Sequence, residues 1–216
     1  MLLLNNNALQ FGIELNKTQL ALFDVYRDEL LQWNAKTNLI SENSSREIIA
    51  RHFLDSLSAL PFIHTPAGKI IDIGCGAGFP GLPLKIALPF LQIYLLETSR
   101  KKVSFLKHII RLLNLSQAFV LHDRVENIMK TDLWKEQFDI VISRAAFKLS
   151  ELLPQGDYFL IPGGKLIALK GSNVDEEFTQ CSLIKNQHKI SQFIQHDINA
   201  PCLGAQRKII IAEKTK

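Results

Sequence analysis

IIDIGCGAGFPG, residues Ile70 to Gly81, sets four glycines in eight positions directly behind a hydrophobic run. Ile70, Ile71 and Ile73 have the β-branched character of a buried strand, with Asp72 as its one charged residue. Gly74, Gly76 and Gly78 strip the side chains from alternate positions, so the main chain can turn sharply and approach a ligand closely. Pro80 and Pro83 follow where a helix would start, a place that suits proline. Strand, glycine loop and helix in that order predict a doubly wound α/β domain that holds a nucleotide-like ligand.

The ligand class is narrowed by what the loop lacks. A dinucleotide fingerprint is G-x-G-x-x-G, and the residue five after Gly74 is Phe79; the third glycine comes one place early. A P-loop needs a lysine followed by a hydroxyl residue, and none stands there. Pyrophosphate therefore has no evident cradle. D-x-G-x-G-x-G instead resembles the first motif of S-adenosylmethionine (AdoMet) dependent methyltransferases, although a tight turn with no ligand would also use such glycines. The next strand-like run, Ile93 to Leu96, ends in Glu97, 21 residues past Gly76. An acid at that spacing can accept both hydroxyls of a ribose. The weaker alternative is that Glu97 only begins the following amphipathic helix, its charge near the positive end.

The 216 residues, 47% hydrophobic and 21% charged, allow one sizeable core with a small appendage and predict a globular protein. MLLLNNNALQ has no basic n-region and only three consecutive leucines, so it does not read as a signal peptide. The apolar stretch near GLPLKIALPFLQIYLL is interrupted by Pro83, Lys85 and Pro89, which excludes a membrane span there. Cys75, Cys181 and Cys202 are odd in number and scattered, which argues against zinc or a disulfide framework. A cytoplasmic protein without metal, membrane association or an obligate protein partner is expected. Charge is uneven: residues 1–65 hold five Lys/Arg against seven Asp/Glu, a balance of −2, and residues 66–216 hold twenty against fourteen, a balance of +6. The positive side is the glycine-loop domain, where a polyanion would bind.

Two helices are predicted first. Residues 17–33 place Leu20, Phe23, Leu30 and Trp33 near one face; SSREIIARHFLDSLSAL opens with a capping box of Ser44 and Glu47 and carries an apolar stripe of Ile49, Phe53, Leu57 and Leu60. Residues 1–65 read as a helical cap, and residues 66–216 as the α/β domain on which it packs. Strands are expected at 69–73, 92–97, 117–121, 138–143 and 164–169, alternating with helices as in a parallel sheet covered on both faces. KISQFIQHDI and QRKIIIAEK, separated by NAPCLGA, predict a closing antiparallel hairpin.

In an open parallel sheet the ligand lies beyond the carboxyl ends of the strands. FDIVISRA ends in Ser143 and Arg144. The motif expected of an exocyclic-amine methyltransferase, Asp, Asn or Ser before Pro-Pro and an aromatic, is missing there. No cysteine stands there for attack on cytosine. Arg124, Arg144 and Lys170 are the polar groups offered, and all are cations. They suit an acceptor with a free lone pair on a phosphate backbone, such as guanine N7, whose O6/N7 face Arg or Lys reads best. Each is also an ordinary surface or ion-pair residue.

The chain resembles the ribosomal RNA small subunit methyltransferase G family, also called glucose-inhibited division protein B. The likeness runs through WNAKTNLI (Trp33–Ile40), RHFLDSL (Arg51–Leu57), DIGCGAGFPGLPL (Asp72–Leu84), DRVE (Asp123–Glu126), VISRA (Val141–Ala145) and ALKG (Ala168–Gly171). It implies a class I, Rossmann-like AdoMet-dependent methyltransferase sheet. It also implies methylation of N7 of a guanine in the decoding-region stem-loop of 16S ribosomal RNA, in the small ribosomal subunit. Gly74, Phe79, the Val125–Glu126 pair and Arg144 match the family's cofactor-binding positions, joining Gly76, Gly78 and Glu97 from the loop and strand above, and Arg124, Arg144 and Lys170 match the cations at the RNA or reacting base. The family usually has serine where this chain has Asp123, an acid that could pair with Arg124 or the adenine amine. Arg51, His52 and Asp55 belong to the family's helical signature, with either RNA contact or docking of the cap as their role. A small-molecule methyltransferase would share the loop and Glu97; a non-catalytic RNA-binding protein would share only the basic face.

Overall fold

The computed structural model describes residues 1–203 and 206–216. Helices α1 (Leu2–Ala8), α2 (Lys17–Thr37), α3 (Ser45–Ile48) and α4 (Asp55–Leu57) precede the sheet, with a π-helical segment, Ile49–Leu54, joining the last two. Strands β1 (Lys69–Ile73), β2 (Gln92–Leu96), β3 (Ala118–Leu121), β4 (Phe138–Arg144) and β5 (Leu160–Gly171) are parallel; β6 (Ile190–Ile198) and β7 (Arg207–Lys214) close the sheet. Between the strands lie α5 (Gly81–Ala87), α6 (Arg100–Leu112), α7 (Val125–Ile128), α8 (Leu149–Phe159) and α9 (Asp175–Ile184).

The strand order is β3-β2-β1-β4-β5-β7-β6, and β7 runs antiparallel to both neighbours. Winding reverses between β1 and β4, so the crevice at their carboxyl ends is where such a sheet takes a ligand. Side chains alternate across the sheet. Ile70, Ile93, Leu95, Ile140 and Ile142 pack with buried residues of α1 to α6 on one face. Ile71, Ile73, Leu96 and Val141 pack with α7, α8 and α9 on the other. The helices of residues 1–65 thus share one hydrophobic core with a face of the sheet.

The amphipathic reading holds for α6, and in α2 for Phe23 and Leu30, while Leu20 and Trp33 are only half-buried. In α2 the buried stripe is Phe23, Tyr26, Leu30 and Asn34, so a polar side chain occupies one core position. The helix starts at an Asn16–Gln19 capping box and runs past Trp33 to stop at Asn38, which takes the left-handed conformation. Helix α1 is not evident in the sequence; it has no side-chain cap, and only Leu4 and Ala8 anchor it. At Ser44 the hydroxyl accepts the Glu47 N–H, but the Glu47 carboxylate takes the hydroxyl proton instead of the Ser44 backbone N–H, so half of the predicted box forms. Strand β5 begins before residue 164, because Leu160 pairs with Phe138 ahead of a register shift. Of the predicted turn NAPCLGA, Pro201–Leu203 forms a 3-10 turn, and Gly204 and Ala205 lie outside the described residues. No helix among the described residues is long and apolar enough to cross a membrane.

Candidate active site

The loop after β1 crosses under the end of β2: the Gly74 and Cys75 N–H groups both donate to the Leu96 carbonyl, at 2.9 and 3.2 Å. This carries Gly76 to Glu97, whose Oε2 accepts the Gly76 N–H at 2.9 Å while Oε1 accepts the Ser99 N–H at 2.7 Å. Oε1 also accepts the Thr98 hydroxyl at 3.4 Å, Oε2 keeps a lone pair, and Glu97 lines a cleft of about 430 Å³ with Gly74, Gly76, Phe79, Val125 and Arg144. At Gly76, φ is +61°, and an added Cβ would meet only the Lys102 Nζ, 3.9 Å away; the missing side chain leaves open space in the cleft. At Gly78 a Cβ would instead strike Leu82 and the Tyr26 hydroxyl, so that glycine permits packing beneath the loop. Gly74 lies against Ala146 and Phe147 of the segment after β4.

A second cleft, of about 690 Å³, opens beside the first, and Arg144 and Ala145 line both. Its walls carry Arg46, Arg51, Arg144, Lys170 and Arg207 against three carboxylates, Glu42, Glu47 and Asp55. Arg144 leaves the end of β4 and is fixed by the helical segment opposite. Its Nη1 donates to the Arg51 carbonyl at 2.8 Å and to Asp55 Oδ2 at 3.1 Å; its Nη2 lies 2.8 Å from His52 Nδ1. The guanidinium also lies over the Phe79 ring, 5.1 Å from its centre. Asp55 reaches Arg207 with its other oxygen, at 2.9 Å.

Comparison with known proteins identifies the family. The profile described as GidB, rRNA small subunit methyltransferase G, matches residues 19–210. The chain belongs to the rRNA small subunit methyltransferase G family. The protein of that name from Syntrophus aciditrophicus is 44% identical over 209 residues, covering 96% of this chain and 87% of that one. The one from Caldanaerobacter subterraneus is 40% identical over 213 residues, covering 98% and 89%. Among solved structures, precorrin-6y C5,15-methyltransferase from Geobacter metallireducens superposes with a TM-score of 0.54 at 15% identity, over 82% of this chain and 92% of that one. At that identity the likeness is one of fold.

The residues singled out from the family pattern fall into three groups. Gly74, Gly76, Phe79, Glu97, Val125 and Arg144 line the first cleft; Arg144 and Lys170 line the second. Phe79 is almost wholly buried, its ring stacked between His52, 4.5 Å away, and Tyr26, 5.5 Å away. Gly78, Arg124 and Glu126 line neither cleft; Arg124 and Glu126 are exposed on the rim. Asp123 does line the first cleft. Its Oδ1 accepts the Asn127 side-chain amide and the Arg124 backbone N–H, and these bonds hold its carboxyl below the usual range. It precedes a short helix whose N-cap is Arg124, and among the described residues it makes no ion pair with the Arg124 guanidinium. Lys170 Nζ donates to the Phe147 carbonyl at 2.5 Å and pairs with Glu177 at 3.4 Å, so it also braces the segment after β4. Among the described residues no group of His, Cys, Asp and Glu could hold a metal ion.

Four contributors escaped sequence reasoning. Leu39 and Ile40 line the first cleft from the cap, and their loop is held by Asn34, whose Oδ1 accepts both of their N–H groups at 2.7 and 2.9 Å. Arg207 at the start of β7 completes the second cleft. A polar residue in the buried stripe of α2, four after Leu30, was the available signal for Asn34; nothing local marks Arg207.

Asp72 lies under the loop, fully buried. Its Oδ2 accepts the Gly81 N–H at 2.7 Å, its Oδ1 has no partner, and burial pushes its pKa up to about 7. The folded pKa exceeds the unfolded value, so this group stabilises the fold most below about pH 4, and the contribution fades as pH rises through 7. The wild-type advantage over Asp72→Asn should shrink by on the order of 4 kcal/mol between about pH 4 and pH 8. Urea unfolding of both proteins across that range measures it; a constant difference would show an ionised Asp72 throughout.

Proposed function

We propose that this chain transfers the methyl group of AdoMet to N7 of a guanine in 16S ribosomal RNA, with the small ribosomal subunit as partner, in the cytoplasm. The observation that carries this reading is the meeting at Arg144 of two unlike clefts. One has a bare glycine floor and a carboxylate with a lone pair open to a ribose hydroxyl; the other is open and rich in cations, as a phosphate-bearing acceptor requires.

The residues present fit AdoMet. Gly76 leaves room for it, Glu97 would hold the ribose, Val125 and Ile40 would flank the adenine, and Asp123 could accept from the adenine amine. When bound, AdoMet supplies a sulfonium methyl open to in-line displacement. The protein's part is to hold the acceptor in line and shed water, which lowers the barrier through positioning. Guanine N7 offers a lone pair in the ring plane and has no proton to lose, so no general base is needed. The junction agrees: His52 is bonded at both ring nitrogens, and burial holds its pKa down to about 4, so its lone pair is not free for the acceptor. Arg144 and Lys170 orient the base and its phosphate, and Arg124 on the rim meets the backbone beyond.

The direct test is methyl transfer from labelled AdoMet into small subunits, and into naked 16S ribosomal RNA, from cells that lack the modification. Label in the RNA supports the reading; label confined to small molecules overturns it. In the same assay Lys170→Ala should lower turnover by about 10- to 100-fold, with AdoMet affinity changed by less than about threefold. Wild-type turnover in that variant would make Lys170 a bystander.

A further inference from the structure

The RHFLDSL segment buries polar side chains where a helix against a core should bury apolar ones. His52 and Asp55 are both less than 10% exposed, and both point at Arg144. The His52 ring is tied at each end: Nε2 lies 2.8 Å from Glu42 Oε2, and Nδ1 lies 2.8 Å from Arg144 Nη2. Glu42 and Arg144 between them fix the ring's proton. A carboxylate can only accept, so Nε2 carries the hydrogen; a guanidinium can only donate, so Nδ1 presents its lone pair. The ring also stacks on Phe79, 4.5 Å away and 18° from parallel, so it cannot swing out of line. Glu42 is itself anchored, because the Asn34 side-chain amide donates to its carbonyl at 3.0 Å.

Resting on the function proposed above, we propose that His52 is a positioning residue for Arg144: a neutral imidazole oriented by Glu42 that, with Asp55, sets the plane and reach of the guanidinium where the two clefts meet. The chain Asn34, Glu42, His52, Arg144 makes the N-terminal helices part of the active-site scaffold. Burial and the adjacent guanidinium keep the ring neutral, with its pKa down to about 4, and Glu42 stays ionised with a pKa of about 2. The charged groups facing the ring are Glu42, Asp55 and Arg144; only Arg144 lines both clefts, so the effect of His52 on chemistry passes through it.

The test is a double-mutant cycle. His52→Leu fills the ring's space without an acceptor, and His52→Asn keeps a carbonyl oxygen near the Nδ1 position. Each is made in the wild type and in Arg144→Ala, and read as AdoMet affinity by calorimetry and as labelled methyl transfer into small subunits. In the wild-type background His52→Leu should lower transfer by about tenfold or more and weaken AdoMet about threefold, and His52→Asn should recover most of both. In the Arg144→Ala background both substitutions should be silent. Equal losses in the two backgrounds, or no rescue by asparagine, would overturn the proposal. If His52→Leu fails to fold, Glu42→Leu removes the partner of Nε2 and enters the same cycle, with the same silence expected in Arg144→Ala. Wild-type protein that binds AdoMet but leaves the RNA unlabelled overturns the RNA reading alone, because the cycle in AdoMet affinity still decides the positioning claim.

Discussion

Gly76→Val is expected to weaken AdoMet binding by about 10²-fold or more while the protein stays folded. The position has φ of +61° and open cleft above it, so the valine side chain would stand where the ligand must lie. A side chain at that φ costs on the order of 1–2 kcal/mol, which a core of this size can bear. Gly76→Ala carries the same backbone cost with a shorter side chain and should lose much less affinity. Gly78→Val makes the opposite case. Its side chain would run into Leu82 and the Tyr26 hydroxyl, so instability should come before any effect on the ligand. Calorimetric titration with thermal melts separates the two; equal AdoMet affinity in wild type and Gly76→Val would remove the loop from the binding site.

Arg144→Ala should lower methyl transfer by about 10²-fold or more and weaken AdoMet by about tenfold. Among the described residues Arg144 is the one charged side chain that lines both clefts. Its removal also leaves His52 Nδ1 without its donor, a loss of about 1–3 kcal/mol in stability. Asp55 keeps Arg207 at 2.9 Å, which limits the damage to the fold. Arg144→Lys should rescue little, since one ammonium cannot serve the Arg51 carbonyl, Asp55 and His52 in the fixed geometry of a guanidinium. Steady-state kinetics on small subunits, with melts beside them, check both variants. Transfer by Arg144→Ala at the wild-type rate would break the link between the clefts.

Local order made the sheet legible. The isoleucines before Asp72, the glycine triplet and Glu97 at its spacing are contiguous signals, and β1, the loop and β2 stand where they predict. What the glycines individually do was not legible. Gly76 and Gly78 are equivalent in the motif, yet one faces the cleft and the other the Tyr26 hydroxyl, because α2 passes under the loop from far away in sequence. The network around Arg144 was hidden for the same reason. Its members at 42, 52, 55, 144 and 207 meet only when the helical cap and the last strand close on the sheet. Asp55, read alone, is a charged residue on a helix; its meaning comes from Arg144 and Arg207, 89 and 152 residues away.

The claim that most needs testing is that the acceptor atom is guanine N7, reached beside Arg144 where His52 is bonded at both ring nitrogens. Small subunits from cells lacking the modification, incubated with the enzyme and AdoMet labelled in its methyl group, can be digested to nucleosides and separated by mass. The expected result is a single labelled species, 7-methylguanosine, from one site in 16S ribosomal RNA. Label on a cytosine carbon, an exocyclic amine or a ribose hydroxyl would contradict it, since those acceptors need a nucleophile or base, whereas N7 needs only to be held in line by Arg144 and Lys170.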